Sequence, residues 1–209
     1  MTIPVQILNR THVDLLKRHF DELADDDVRL RFGGLRNHDA RHAYVDSIRF
    51  ERDCVFGIFT DELKLLGVAH LACLHGAAEL GISVLAPYRG HGIGTALFKR
   101  AVMHARNLQI VELFMICLAH NTAIMQIARK AGMRIVVGRD GADAHVALAP
   151  GNPLTFGQEM AEQQFAQFDW ALKANVVYLQ TAMLNQYRPV PCGAHSTLDP
   201  IQIAVLQSS

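Results

Sequence analysis

The sequence predicts an α/β fold: a sheet of mixed, mostly antiparallel direction, flanked by helices and followed by a C-terminal helical extension. Three observations carry that prediction. Val84–Arg106 reads VLAPYRGHGIGTALFKRAVMHAR, a strand that runs through a glycine-rich turn into a helix. Ahead of it lie apolar runs of strand length, separated by short charged or glycine-containing turns. Behind it strand and helix patterns alternate, and a meander followed by crossovers requires strands of both directions.

The elements follow in order. Val13, Leu16, Phe20 and Leu23 recur at helical spacing and predict a helix over Thr11–Ala24 with Thr11 as N-cap, broken by the acidic run Asp25–Asp27. A second helix is predicted over His38–Ile48. Cys54–Phe59 and Leu65–Leu74 are apolar runs on either side of a turn at Thr60–Lys64, and Gly76 marks the turn into a third strand, Ala78–Leu85. The helix after the glycine turn carries Ile93, Leu97, Ala101, Ala105 and Leu108 on one stripe and ends near Asn107. Val111–Leu118 reads as a buried strand and Thr122–Ala131 as a helix that Gly132 terminates. Arg134–Val137 and Ala144–Ala149 read as a closing hairpin across Gly138–Gly141.

These elements make residues 1–149 one domain. Beyond Pro150-Gly-Asn-Pro153, the residues Ala161, Phe165, Phe168, Leu172, Val176, Leu179 and Met183 keep near-heptad spacing along a helix over Phe156–Met183. Residues 150–185 are therefore a helical extension and 186–209 an irregular tail. A stripe this apolar needs a cover, either the same domain or a second copy of the chain. The domain is complete without it, so the sequence favours a homodimer.

Composition narrows the partners. Lys+Arg and Asp+Glu are 20 each, so no global field recruits nucleic acid or an anionic membrane, and aromatics are too few for a base-stacking site. No apolar run is long enough to cross a bilayer, and the N-terminus lacks a leader pattern. The cysteines Cys54, Cys73, Cys117 and Cys192 are widely separated, as expected of reduced thiols in a cytoplasmic protein. The eleven histidines read as scatter without metal-ligand spacing, so no metal site is expected.

The chemistry concentrates at the glycine turn. Arg89, Gly92 and Gly94 stand as Arg-x-x-Gly-x-Gly at the mouth of a helix. Such a turn leaves the first backbone N–H groups of the helix pointing outward at the positive end of its dipole. These donors suit a phosphate or pyrophosphate, glycine lets it approach the main chain, and Arg89 can add a charge-assisted contact. Gly90-His-Gly92-Ile-Gly94 lacks the third glycine of the dinucleotide fingerprint, and no Gly-Lys-Ser/Thr of a phosphate loop is present.

What the segment resembles is the cofactor loop of the GNAT superfamily of N-acetyltransferases, Arg/Gln-x-x-Gly-x-Gly/Ala, and the resemblance extends over about residues 5 to 149. It implies the GNAT fold, acetyl-CoA as cosubstrate and an amine as acceptor. It assigns Arg89, Gly90, His91, Gly92, Ile93, Gly94 and Thr95 to the pyrophosphate, and the main chain of Val84, Leu85 and Ala86 to the pantetheine arm. A second stretch, NTAIMQIARKAGM from Asn121 to Met133, is similar to the family's later helix and adds Asn121 as a cofactor contact as well as an N-cap. Many members carry a Tyr seven residues after that Asn; here the position is Ala128. A CoA thiol, with a pKa near the ~8.5 of a free cysteine, can leave without that acid. Ala128-Arg129 and Leu30-Arg31-Phe32 further resemble the GNAT domain of bacterial protein-lysine acetyltransferases.

Glu79 is the candidate base. It lies ten residues before Arg89 on the strand that enters the loop, among Ala77, Ala78, Leu80 and Gly81. Apolar surroundings raise a carboxylate's pKa toward the range useful for proton abstraction, whereas a strand-end Glu facing solvent would have no such role. Many family members carry a Glu near this place. The expected activity is transfer of an acetyl group from acetyl-CoA to a primary amine, of a small molecule or a protein, in a ternary complex. The alternative is a non-catalytic acyl-CoA-binding module with the same loop.

Overall fold

The computed structural model describes residues 3–34, 37–117, 121–138 and 142–186. Met1–Asn175 form one compact unit, and a second begins at Val176. The first unit is built on a seven-stranded sheet in the order β1-β2-β3-β4-β5-β7-β6. The strands are β1 (Gln6–Leu8), β2 (Cys54–Phe59), β3 (Leu65–Leu74), β4 (Ala77–Val84), β5 (Glu112–Cys117), β6 (Arg134–Val137) and β7 (Ala142–Ala147). Every neighbouring pair is antiparallel except β4 and β5.

The helices are α1 (Val13–Asp21), α2 (Asp25–Phe32), α3 (His38–Asp46), α4 (Ile93–Asn107), α5 (Thr122–Lys130) and α6 (Pro153–Gln186). Two departures from the sequence expectation lie at the start. Asn9, rather than Thr11, caps a single 3-10 turn at Arg10–His12 that leads into α1, its carboxamide oxygen accepting from the Thr11 N–H at 3.0 Å. The acidic run does not end a helix but opens one. Asp25, Asp26 and Asp27 occupy the first turn of α2, where negative charge complements the helix dipole. Gly33, at φ +70°, ends it.

Strand alternation sorts the core into two layers. Phe56, Ala69, Leu71, Leu80 and Ile82 pack with Ile93, Leu97, Ala101 and Ala105 of α4 and with Ala128 of α5. On the opposite face Val55, Phe59 and Val68 pack with Leu16 and Phe20 of α1, Val28 of α2 and Val45 of α3. The same alternation places Glu79, Gly81 and Ser83 of β4 together on the α1–α3 face.

The first part of α6 docks on α4. Glu159 accepts from Arg100 Nη1 (2.7 Å) and Asn107 Nδ2 (2.5 Å) and meets His104 Nδ1 at 2.5 Å. The Arg100 side chain is 1 % exposed and also donates to Gln163 at 3.3 Å. Burial would raise the Glu159 pKa, but these three hydrogen bonds outweigh it and hold the group at about 2. Ala166 is buried, and Trp170 meets the Phe59 ring edge-on at 4.6 Å. The heptad-like stripe lies elsewhere on the helix: Phe165, Phe168, Leu172, Val176, Leu179 and Met183 are each at least half exposed. No helix among the described residues is long and apolar enough to cross a membrane. Cys54 and Cys73 are free thiols; the Cys117 side chain and Cys192 lie outside the described residues, as does the predicted tail beyond Gln186.

Candidate active site

β4 and β5 share only three rungs, Ala77–Glu112 to Glu79–Phe114, while β4 continues to Val84. Beyond Glu79 the two strands part, and the sheet opens into a cleft of about 460 Å³. Ile82, Ser83 and Val84 form one side of it, the glycine loop and first turn of α4 its floor, and Asn121 to Lys130 of α5 and its cap the far wall. Leu23, Asp27, Leu30 and Arg31 close the near wall. The helix the sequence reading missed, α2, thus supplies much of one side.

The floor has the geometry that anion binding requires. Gly92 is the N-cap of α4 at φ +82°, a conformation that costs any residue with a Cβ. The Ala96 N–H makes the first helical bond, to Gly92 O at 2.9 Å. That leaves the N–H groups of Ile93, Gly94 and Thr95 without a partner further back in the helix. At Gly94 a Cβ would sit 3.1 Å from Ile127 Cδ1, so glycine here lets α4 and α5 close over the same cleft. Asn121 caps α5, its Oδ1 accepting from the Ile124 N–H at 3.2 Å.

Arg89 lies at the cleft mouth, 44 % exposed, and is already engaged. It donates through Nε and Nη2 to the Val84 carbonyl, both at 3.1 Å, and pairs with Asp27 Oδ2 at 2.6 Å. Gly90, Gly92, Ile93, Gly94, Thr95 and Val84 line the cleft with it, whereas Glu79, Leu85, Ala86 and His91 do not. Leu85 is a poor main-chain donor for a ligand. Its side chain is buried, its N–H is given to Leu66 O at 2.9 Å, and its carbonyl accepts from Tyr88.

Glu79 stands half-buried at the rung where β4 and β5 part. On its face of the sheet lies a polar cluster drawn from several elements. Arg31 of α2 lies flat on Gly81, where a Cβ would come within 2.2 Å of its Cζ, and its Nη2 donates to Tyr44 Oη at 2.7 Å. Tyr44 donates in turn to His70 Nδ1 at 2.7 Å, and His70 Nε2 faces Asp53 at 3.7 Å. Burial raises the Tyr44 pKa, with the Glu79 charge adding to it and Arg31 opposing, so the phenol keeps its proton. Burial and the Arg31 charge push His70 down to about 4, which makes it a neutral acceptor.

A second pair sits one rung along. His19 Nδ1 is 3.1 Å from the Leu65 carbonyl, so that nitrogen carries the proton. Its Nε2 then accepts from Ser83 Oγ at 2.8 Å, and burial holds the imidazole at about 4 and neutral. Ser83 therefore presents lone pairs to the cleft it lines. Sequence reasoning did not find Ser83, His19, Tyr44 or His70. The available signal was the period of two along β4, which puts Glu79, Gly81 and Ser83 on one face.

Comparison with known proteins agrees with this geometry. A search of curated protein sequences finds no match, but solved structures share the fold. The GNAT domain of S. lividans PAT superposes with a TM-score of 0.61 at 13% identity, over 71% of this chain and 95% of that one. The ribosomal-protein-S18-alanine N-acetyltransferase from Escherichia coli gives 0.56 at 16%, over 71% and 96%. The PaiA N-acetyltransferase from Thermoplasma acidophilum, solved with coenzyme A, gives 0.55 at 16%, over 70% and 99%. The family model for the GNAT acetyltransferase domain matches residues 8–134, which hold β2 to β5, the glycine loop and the Asn121 helix. With its parted β4 and β5 and the open helix mouth between them, the chain belongs to the GNAT acetyltransferase family.

Proposed function

We propose that this chain transfers the acetyl group of acetyl-CoA to a primary amine by direct attack in a ternary complex. The observation that carries the reading is the cleft along β4 beyond its last rung with β5, which ends on the open N-terminus of α4. In this reading the pyrophosphate sits on the amides from Gly90 to Thr95 with Arg89 beside it, and Asn121 borders the cofactor. The pantetheine arm runs along the β4 edge at Val84. The amine enters from the α1–α3 face, where Glu79, Tyr44 and Arg31 are gathered. Its nitrogen forms the new bond to the acetyl carbon, the C–S bond breaks, and the ammonium proton passes to Glu79 directly or through water. The thiolate leaves unaided.

Calorimetry with acetyl-CoA and CoA tests the first half. Affinity falls at least tenfold in an Arg89→Ala, Gly92→Glu double variant, and no binding at millimolar cofactor would overturn the reading. An amine and peptide panel with free-thiol detection tests the second half, with Glu79→Gln slowing transfer while CoA affinity holds. A panel that includes protein N-termini is indicated by the ribosomal-protein acetyltransferase among the structural neighbours.

One observation favours the second reading, a non-catalytic acyl-CoA-binding module. Ala128, at the family's usual Tyr position, is fully buried in the core and offers no hydroxyl. Tight cofactor binding with no transfer to any amine would select it.

The same proposal extends to assembly and location. The uncovered stripe from Phe165 to Met183 fits a second copy of the chain, and the free thiols Cys54 and Cys73 fit a reducing cytoplasm. Light scattering on the full chain checks the first point, with a monomer as the refuting result.

A further inference from the structure

Outside the cleft, one cluster has the donor set and spacing of a metal site. His38 and His42 stand one turn apart at the start of α3, the four-residue spacing that the reading of the histidines as scatter passed over. Their rings lie 3.8 Å apart between centroids, tilted by 37°. Both Nε2 atoms turn to the carboxylate of Asp21, the last residue of α1, at 3.2 Å from His38 and 2.9 Å from His42. The three donor atoms all lie within 4.8 Å of one another. For a tetrahedral ion bound at 2.0–2.1 Å, donors are about 3.4 Å apart, so each Nε2–Oδ2 distance lies within about 0.5 Å of what such an ion requires.

We propose that Asp21, His38 and His42 form a binding site for a Zn²⁺-class divalent ion that ties the end of α1 to the start of α3. Two imidazoles and one carboxylate favour zinc, copper, nickel or cobalt over calcium and magnesium, which take oxygen ligands. A hydrogen-bonded His–Asp cluster accounts for the Asp21 Oδ2 contacts alone. Asp21 Oδ1 is buried without a hydrogen-bond partner, an acceptor that an ion held by the same carboxylate would satisfy. His38 Nδ1 faces Asp39 Oδ1 at 3.6 Å, placed to orient the ring as outer-shell carboxylates do. Arg41 Nη2, 3.6 Å from Oδ1, adds a positive neighbour that weakens the site, and micromolar affinity is expected. His38 is 58 % exposed, which leaves the fourth position to water or an incoming ligand.

The test uses the full chain, tag-free and stripped with chelator. Zn²⁺ is titrated by calorimetry, and Co²⁺ is followed by its visible spectrum. One ion per chain, a tetrahedral Co²⁺ spectrum and a melting temperature raised by Zn²⁺ are expected. Affinity drops about tenfold or more in each of His38→Ala, His42→Ala and Asp21→Asn, while Asp39→Asn loses less. Circular dichroism of the metal-free variants checks that they fold. Absence of binding at 100-micromolar Zn²⁺, on the order of a hundred times the expected constant, would overturn the proposal. So would unchanged binding in the His38→Ala, His42→Ala double variant. Neither readout depends on acetyl transfer.

Discussion

Glu159→Gln tests whether α6 is anchored by charge. Glu159 takes hydrogen bonds from Arg100, His104 and Asn107, and its carboxyl side chain is only 15 % exposed. Depression of its pKa from the ordinary 4.5 to about 2 corresponds to about 3 kcal/mol of stability at pH 7. The folded value is the lower one, so the contribution is complete above about pH 4.5 and is lost as pH falls toward 2. Removing one partner also strands the Arg100 guanidinium, 1 % exposed against Phe56, and uncompensated buried charges cost about 3–5 kcal/mol. Glu159→Gln should therefore cost roughly 3 kcal/mol. Urea unfolding at pH 7 reads it directly, with Arg100→Met and the double variant completing a cycle. The double variant should lose less than the two single losses added together. A Glu159→Gln loss under about 1 kcal/mol, or strict additivity, would refute the anchor.

Three further outcomes are expected. His19 and His70 are held near 4 by burial, below the ordinary 6.5, so the unfolded chain binds protons first and stability falls as pH drops from 6.5 through 4. Each contributes a loss of about 2 kcal/mol by pH 5, and His19→Gln should flatten the slope of urea midpoint against pH. Gly94→Val drives a side chain against Ile127 and fills the α4 mouth; acetyl-CoA affinity should fall at least tenfold by calorimetry with the circular dichroism spectrum unchanged. Gly81→Ala displaces the Arg31 guanidinium and should match Arg31→Ala in transfer kinetics within about twofold, at less than about 1 kcal/mol of stability, because the displaced group is the end of a flexible side chain.

How much was legible depended on range. Cys54–Phe59, Leu65–Leu74 and Arg134–Val137 match the predicted strands residue for residue, because their apolar or turn-bounded runs are local properties. The three-residue β1 is too short to show a period. α2 was hidden because its acids read as a breaker and Val28 is its only buried residue. On α6 the seven-residue stripe carries the hydrophobic pattern, but the face that docks on α4 and β2 presents Glu159, Gln163, Ala166 and Lys173 around a single aromatic, Trp170, a set with no apolar period to mark it. The glycine loop was legible as one contiguous segment. The His19–Ser83 pair and the Arg31–Tyr44–His70 chain were not, since each joins residues that only the folded sheet brings together.

The contact of Arg31 with Gly81 couples two positions fifty residues apart through a missing methyl group. A guanidinium can lie on a strand only where that strand carries no side chain, so residue 81 sets what residue 31 is able to do. The pair therefore serves as a readable marker. A relative that keeps glycine at 81 and arginine at 31 has the means to present a flat cation beside the base on β4. One with any larger residue at 81 must build that wall of its acceptor site another way, whatever else of the loop it retains. Exchange of α2 between relatives succeeds only when β4 travels with it.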